Sequence, residues 1–236
     1  MKTAFPGGVK KALTFSFDDG VVQDRRVIAL MDRYHLKGTF NLCSGRFGLT
    51  DSITYLGKTA DTSTIKESEV RAVYAGHEIA GHTVHHPLLT DCTNEEVIAE
   101  IEHDRQKLSE LAGYEVCGFA FPNPWEKIKD FTELSALAAK TGVRYARTTA
   151  VTDSFEPARD VYSIGMTARL SAFERAFPLA EAFLALETDT PKVFYLMAHA
   201  YEFDLFDSWD KLEKLFELLA GHDDIFYGTN REVYLD

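Results

Sequence analysis

The sequence predicts a single α/β domain over residues 1–236, built as a barrel of about seven or eight parallel strands with helices outside. Three observations carry this. Short apolar, β-branched segments alternate with amphipathic segments along the whole chain, the pattern of parallel strands joined by helical crossovers. The glycine-rich GxGxxG turn of a dinucleotide-binding open sheet is absent after the first strand. No linker, repeat or low-complexity segment divides the chain, and barrels of this length fold undivided.

The elements follow in order. Residues 12–17 form a buried strand that runs straight into Asp18-Asp19-Gly20. Val27, Leu30, Met31 and Tyr34 recur at helical spacing and predict a helix over 24–34. Residues 37–42 read as the second strand. The stretch 45–63 is rich in Gly, Ser, Thr and Asp, lacks periodicity, and reads as a surface excursion on the substrate side. A helix over 65–74 and a third strand over 76–81 come next. Thr93 and Glu96 form a capping box opening a long helix that carries Val97, Ile101, Leu108 and Leu111, and Gly113 closes it. A strand over 116–121, a helix over 131–140 and a strand over 143–146 follow, with a further strand expected at 161–164. Ser171 and Glu174 read as a second capping box, for a helix bearing Phe173, Phe177 and Leu184. The chain finishes with a strand over 192–197, a helix over 209–220 closed by Gly221, and a strand over 225–227.

Composition narrows the function. Hydrophobic residues make up 45% and aromatic residues 12% of the chain, enough for a packed core rather than disorder. The net charge of −12 and the lack of a basic run argue against nucleic acid or an anionic membrane as partner. Cys43, Cys92 and Cys117 are odd in number and widely spaced, so free thiols and a reducing compartment are expected. No apolar leader or membrane-length apolar stretch is visible, and a cytoplasmic location is expected.

Three strand ends carry metal-capable side chains. The first delivers Asp18-Asp19, the third His82-Thr83-Val84-His85-His86, and the 192–197 strand delivers His199. In a parallel barrel these ends lie on one face, where active sites are built. Adjacent residues of an extended chain point to opposite sides, so Asp18 and Asp19 have different tasks. His82 and His86 stand four apart with Pro87 directly after, so a turn rather than a helix must bring them together. Two imidazoles and one carboxylate with an open position is how catalytic zinc is held. His85 should point away, and His35, His77, His103 and His222 are expected to be structural or solvated.

These segments resemble the motifs of the polysaccharide deacetylase family, carbohydrate esterase family four. Ser16-Phe17-Asp18-Asp19-Gly20 is similar to its T-F-D-D-G motif, with Ser16 in the threonine position. His82-Thr83-Val84-His85-His86 is similar to H-[ST]-x-x-H, and Leu196-Met197-Ala198-His199 to L-x-x-H. The resemblance covers residues from about 11 to 200. It implies a distorted (β/α) barrel, here of about seven parallel strands, and hydrolysis of N- or O-acetyl groups on a sugar. It further implies one divalent metal on Asp19, His82 and His86, with Asp18 as general base and His199 as general acid. Zn²⁺ suits that ligand set best, and Co²⁺, Ni²⁺ or Fe²⁺ would also bind.

Two motifs depart from the family. Where R-x-P-x-[GY] is expected the chain has Ala120-Phe121-Pro122-Asn123-Pro124; the arginine that orients the base is missing, and Arg147 is the candidate to fill its space. The Asp-Trp motif that supports the acid is absent, leaving Asp153, Glu202 and Asp204 as substitutes. Asn123, Trp125 and Tyr201 are the substrate-binding candidates, with Phe203 a further aromatic in reach. The expected activity is thus metal-dependent deacetylation of an acetylated sugar or oligosaccharide. The alternatives are hydrolysis of a non-sugar amide, such as a ureide or cyclic imide, and an inactive sugar-binding relative.

Overall fold

The first strand, β1 (Lys11–Asp18), is buried along its whole length and has two chemically distinct sides. Leu13, Phe15 and Phe17 join the apolar layer shared with the helices. Thr14, Ser16 and Asp18 turn into the barrel, where each meets a polar side chain. Thr14 Oγ1 donates to Asn230 Oδ1 (2.9 Å), and Asn41 Nδ2 donates to Ser16 Oγ (2.7 Å) and Asp18 Oδ1 (2.6 Å). The period-2 alternation of a strand therefore sorts a greasy outer wall from a hydrogen-bonded lumen. The structure is a computed structural model that describes residues 2–122, 128 and 130–235.

Around β1 the sheet is parallel throughout. β10 (Lys192–His199) flanks it in full register, and the opposite side is shared by β11 (Ile225–Tyr227) at its start and β2 (Gly38–Leu42) at its end. Beyond β2 come β5 (Glu78–Gly81), β6 (Gly118–Ala120), β7 (Tyr145–Val151) and β8 (Ile164–Met166). β9 (Ala168–Arg169) sits on the far side of β10. The stretch 164–169 brings the two sheet ends together: β8 pairs with β7, β9 pairs with β10, and between them the Thr167 N–H donates to Tyr195 O (2.8 Å). The result is a nearly closed, distorted (β/α) barrel.

The helices are α1 (Asp24–Arg33), α2 (Val70–Val73), α3 (Asn94–Ala112), α4 (Thr132–Ala138), α5 (Phe173–Leu184), α6 (Tyr201–Leu205), α7 (Trp209–Leu219) and α8 (Asn230–Tyr234). The capping box at α3 forms as expected, and Gly113 ends the helix at φ +78°. A further box, Thr229 with Glu232, opens α8. It anchors Asn230 at the N-terminal end of the barrel, where Asn230 donates to Thr39 Oγ1 (2.9 Å) and to the Tyr195 hydroxyl (2.6 Å). No helix among the described residues is long and apolar enough to cross a membrane.

Several expectations change. The barrel is as expected, its sheet counting nine strands beside the about seven or eight anticipated, because the closing stretch contributes two short pieces and β11 fills the space beside the start of β1. The strand expected at 161–164 begins only at Ile164. The stretch 45–63 contains an antiparallel hairpin, β3 (Ser52–Tyr55) and β4 (Lys58–Asp61). Its turn, Leu56-Gly57, has both φ angles positive (48° and 75°), the two-residue geometry that suits strand twist. Its strands are only four residues long and mostly exposed, with the Ile53–Ala60 pair alone turned inward, so the apolar signal is weak. The helix expected over 65–74 shrinks to a 3₁₀ turn, Glu67–Glu69, and one α turn. The Ser171 capping box does not form: Ala172 is the N-cap of α5 and no side chain caps it. None of the three cysteines is in a disulfide.

Gly118 shows how tightly the wall is packed. A Cβ there would stand 2.1 Å from the Tyr145 hydroxyl, which donates to the buried Glu78 (2.9 Å). Gly118→Ala should therefore cost ~1–3 kcal/mol of stability, the range for overpacking a filled core. Equilibrium urea unfolding reads this, and an unchanged midpoint would show that Tyr145 can move aside freely.

Candidate active site

Asp18 closes β1 in register with His199 on β10 and with Asn41 on β2. Its carboxylate is buried and bound on both oxygens: Asn41 donates to Oδ1 (2.6 Å) and Arg147 Nη2 to Oδ2 (2.5 Å). Arg147, with its side chain fully buried, comes from β7, where its register partner on β6 is Ala120. The guanidinium missing from position 120 is thus supplied from the neighbouring strand, one sheet spacing away. Burial alone would raise the Asp18 pKa, but Arg147, His82 and His199 together with the Asn41 hydrogen bond hold it well below the usual carboxylate range.

Asp19 diverges from Asp18 because the chain turns sharply there. Its φ is +79° and that of Gly20 is +66°, and its N–H donates to Asn41 O (3.0 Å). The histidine loop is bent the same way, with Thr83 at φ +71° and His86 at +58°. A β-branched residue in this region is strained; here the Thr83 hydroxyl compensates by accepting the His86 N–H (3.0 Å). Left-handed backbone at three positions around one point is what gathers Asp19, His82 and His86 without a helix.

The gathered atoms suit a metal. Candidate ligand atoms of Asp19, His82 and His86 lie within 4.8 Å of one another. Asp19 Oδ1 stands 3.8 Å from His82 Nε2 and 3.6 Å from His86 Nε2. Ligands ~2.0–2.2 Å from a common tetrahedral centre stand ~3.3–3.6 Å apart, so the spacing fits and is too long for direct hydrogen bonds. His82 Nδ1–H donates to Ala120 O (2.8 Å), which turns the bare Nε2 inward, the orienting contact typical of ligating imidazoles. Burial lowers the His82 pKa to about 4, keeping the ring neutral as ligation requires.

His199 lies across from this group, its Nε2 3.8 Å from Asp19 Oδ2. Its Nδ1 meets Glu202 Oε1 at 3.3 Å, and the same oxygen accepts from Arg169 Nη2 (2.7 Å). Burial would lower the His199 pKa; the Glu202 hydrogen bond and the Asp19 charge instead raise it to about 9. Burial likewise opposes ionisation of Glu202, yet His199 and Arg169 hold its pKa at about 2. Of the three substitutes for the missing motif, only Glu202 touches His199. Asp153 pairs with Arg175 (2.9 Å), and Asp204 accepts from Trp209 Nε1 (2.7 Å).

All five residues border one cavity of about 290 Å³, with Phe121, Thr149, Arg169, Met197, Tyr201 and Glu202 completing its described lining. Tyr201 stacks on His199, ring centres 5.2 Å apart. Phe203 is fully buried in the core and lines nothing. Asn123 and Trp125 lie outside the described residues. His85 points away, its side chain 70% exposed and paired with Glu100, and His77 is structural, accepting the Gly38 N–H (3.2 Å).

Sequence reasoning missed Asn41 and Asp104. Asp104 is buried in α3, accepting the Ser44 N–H (2.7 Å) on Oδ1 and the His82 N–H (2.9 Å) on Oδ2, and burial raises its pKa to about 7. It pins the loops after β2 and β5 together. The signal was there: Asp104 falls on the same helical face as Val97, Ile101 and Leu108, where an apolar residue belongs.

With this geometry established, the comparisons agree. The family model described as polysaccharide deacetylase matches residues 7–146, and the chain belongs to that family. A search of curated proteins found no match. Among solved structures, a family 4 carbohydrate esterase from Streptomyces lividans in complex with acetate is 14% identical over 96% of each chain, TM-score 0.58. A protein from Mycobacterium smegmatis assigned to the polysaccharide deacetylases is 16% identical over 98% of this chain and 91% of its own, TM-score 0.68. An allantoinase, Puue, is 13% identical over 97% and 90%, TM-score 0.71. At these identities the likeness is one of fold.

Two stability outcomes follow. Arg147→Met leaves the Asp18 charge buried without its partner and should cost ~3–5 kcal/mol, much of it recovered when Asp18→Asn is added; additive losses in the double variant would break the link. The Glu202 pKa, about 2 when folded, lies below its ordinary 4.5. Stability from the ionised group is therefore fully present above ~pH 4.5 and lost as pH falls toward 2. Denaturant titrations should find Glu202→Gln less stable than wild type at pH 7, with the gap closing toward pH 3.

Proposed function

We propose that the chain is a metal-dependent hydrolase that removes an acetyl group from nitrogen, or from oxygen, on an acetylated sugar or oligosaccharide. The observation that carries this is the convergence of a two-histidine, one-carboxylate group, a buried carboxylate and a carboxylate-backed histidine on a single cavity. Asp19, His82 and His86 would hold the metal, with Zn²⁺ the best match to the donor set. When bound there, a divalent ion polarises the acyl carbonyl and makes water a stronger nucleophile near neutral pH.

The protein's own groups do the rest. Asp18, held ionised by Arg147 and fixed by Asn41, accepts the proton of the attacking water. Its rigidity matters more than its basicity, since both oxygens are already aimed by hydrogen bonds. His199 keeps its proton to about pH 9 through Glu202, and gives it to the leaving nitrogen or oxygen from Nε2. Tyr201, stacked on His199, walls that side of the cavity.

A second reading, hydrolysis of a small non-sugar amide such as a ureide or cyclic imide, draws support from the modest cavity and from the sequence departures at positions 120 and 124. The same chemistry serves both substrates. The allantoinase among the structural neighbours makes a ureide a sensible member of any substrate panel.

Metal content and acetate release separate these readings. Wild type and Asp18→Asn should each retain about one metal per chain, His82→Ala and His86→Ala should lose most of it, and only wild type should release acetate at an appreciable rate. Metal without acetate, accompanied by turnover of ureides, would replace the first reading with the second. Metal without turnover on any amide would leave the inactive binding relative. In an active enzyme, Glu202→Gln should move the alkaline limb of the rate profile to lower pH, because the imidazolium loses its counter-charge; an unmoved limb would remove His199 as the acid.

A further inference from the structure

The cavity contains one charged side chain that this hydrolysis uses only through a single contact to Glu202. Arg169, the last residue of β9, lines it beside Thr149, Tyr201 and Glu202. Among the described lining residues it is the single guanidinium or ammonium group, because Arg147 is sealed inside the barrel. A guanidinium carries five N–H donors in a planar fork. One of these reaches Glu202 Oε1 (2.7 Å), and the guanidinium makes no second hydrogen bond to the protein among the described residues. Its side chain is 41% exposed.

Two further polar groups border the same cavity without a protein partner. Thr149 Oγ1 is buried and unbonded. The Tyr201 hydroxyl makes no protein hydrogen bond among the described residues, although its ring is fixed against His199. A counter-ion for Glu202 needs only one contact and would sit best buried around it. Arg169 instead keeps most of its fork free toward the cavity, on a strand held by pairing with Met197 of β10.

We infer that Arg169, with the hydroxyls of Thr149 and Tyr201, receives a carboxylate carried by the substrate. This rests on the amide-hydrolase reading above and names its substrate class: a small N-acyl compound that is also an acid. The carboxylate lies on the amine side of the scissile bond, since Arg169 contacts Glu202, which in turn contacts His199, the group that serves the leaving nitrogen. The net charge of −12 disfavours an acidic polymer, whose many charges meet the whole surface field. A small acid meets the local fork instead, with distant charges screened beyond ~8–10 Å at moderate salt.

Matched pairs test this: N-acetylmuramic acid against N-acetylglucosamine, and an N-acetylated amino acid against its primary amide. Acetate release is measured on the metal-loaded wild type, Arg169→Met and Arg169→Lys. Calorimetric binding is measured in parallel on Asp18→Asn with and without Arg169→Met, which reads recognition without turnover. The acid of at least one pair should be favoured by ~10–100-fold, the range of a charge-assisted fork contact. Arg169→Met should erase that preference, lowering turnover of the acid ~10–100-fold more than that of the neutral member, which loses only the Glu202 contact, and the lysine variant should keep part of it, as a point charge without the fork. Equal losses on acid and neutral members would reduce Arg169 to a support for Glu202 and overturn the inference, as would a wild type with no preference. Acetate from both members without preference defeats this inference alone. An Arg169-dependent preference in binding with no acetate from any substrate defeats the deacetylase reading and leaves the anion site standing.

Discussion

A carboxylate and a guanidinium, both removed from water, set the terms for the whole barrel. The Asp18–Arg147 pair sits in the lumen with the arginine side chain wholly buried, where an unpaired charge of either sign would cost several kcal/mol. Such a pair is tolerable only if the remaining lone pairs and N–H groups find partners. The lumen meets most of this demand: Asn41 bonds the second oxygen of Asp18 and also Ser16, Arg147 Nη1 donates to Thr148 O (3.2 Å), and Asn230 bonds Thr14, Thr39 and Tyr195, while Arg147 Nε has no partner among the described residues. Asn41 and Arg147 stand where water would otherwise solvate the Asp18 carboxylate.

The position of the arginine is informative. Position 120 on β6 and position 147 on β7 are register partners, so moving the guanidinium from one to the other displaces its origin by one strand spacing, ~4.8 Å. A long side chain spans that, and Asp18 receives the charge either way. What position 120 still contributes is its backbone: the Ala120 carbonyl orients His82. Backbone duties survive a side-chain change, which is why a departure from a family motif can leave the site's electrostatics intact.

The site is also held rigid from behind. Asp104 ties the loop after β2 to the loop after β5 through two backbone N–H groups. Gly81 leaves room for it, since a Cβ there would stand 2.9 Å from Asp104 Oδ2. With Asp19, Thr83 and His86 in left-handed backbone, the turns that carry Asp19 and the two histidines hold conformations that isolated peptides rarely visit. Surrounding contacts must impose them, which is how strain persists at functional sites.

Strand and helix order, the capping box at Thr93, and the strand-end placement of Asp18, Asp19, His82, His86 and His199 were determined by the sequence alone. Each depends on local pattern: periodicity, turn chemistry and the direction of a parallel strand. The hairpin at 52–61 escaped because its four-residue strands turn only the Ile53–Ala60 pair inward, too short a pattern to read, and the Ser171 box misled because capping depends on where the helix starts in three dimensions. Arg147 was a candidate by its place beside a strand, but only the parallel register between β6 and β7 decided that it reaches Asp18. Glu202, rather than Asp153 or Asp204, became the partner of His199 because the single turn of α6 folds it back at i+3, while the other two found Arg175 and Trp209. Those choices are between residues distant in sequence or equivalent in type. Packing selects among them by geometry, and that information exists only once the barrel is closed.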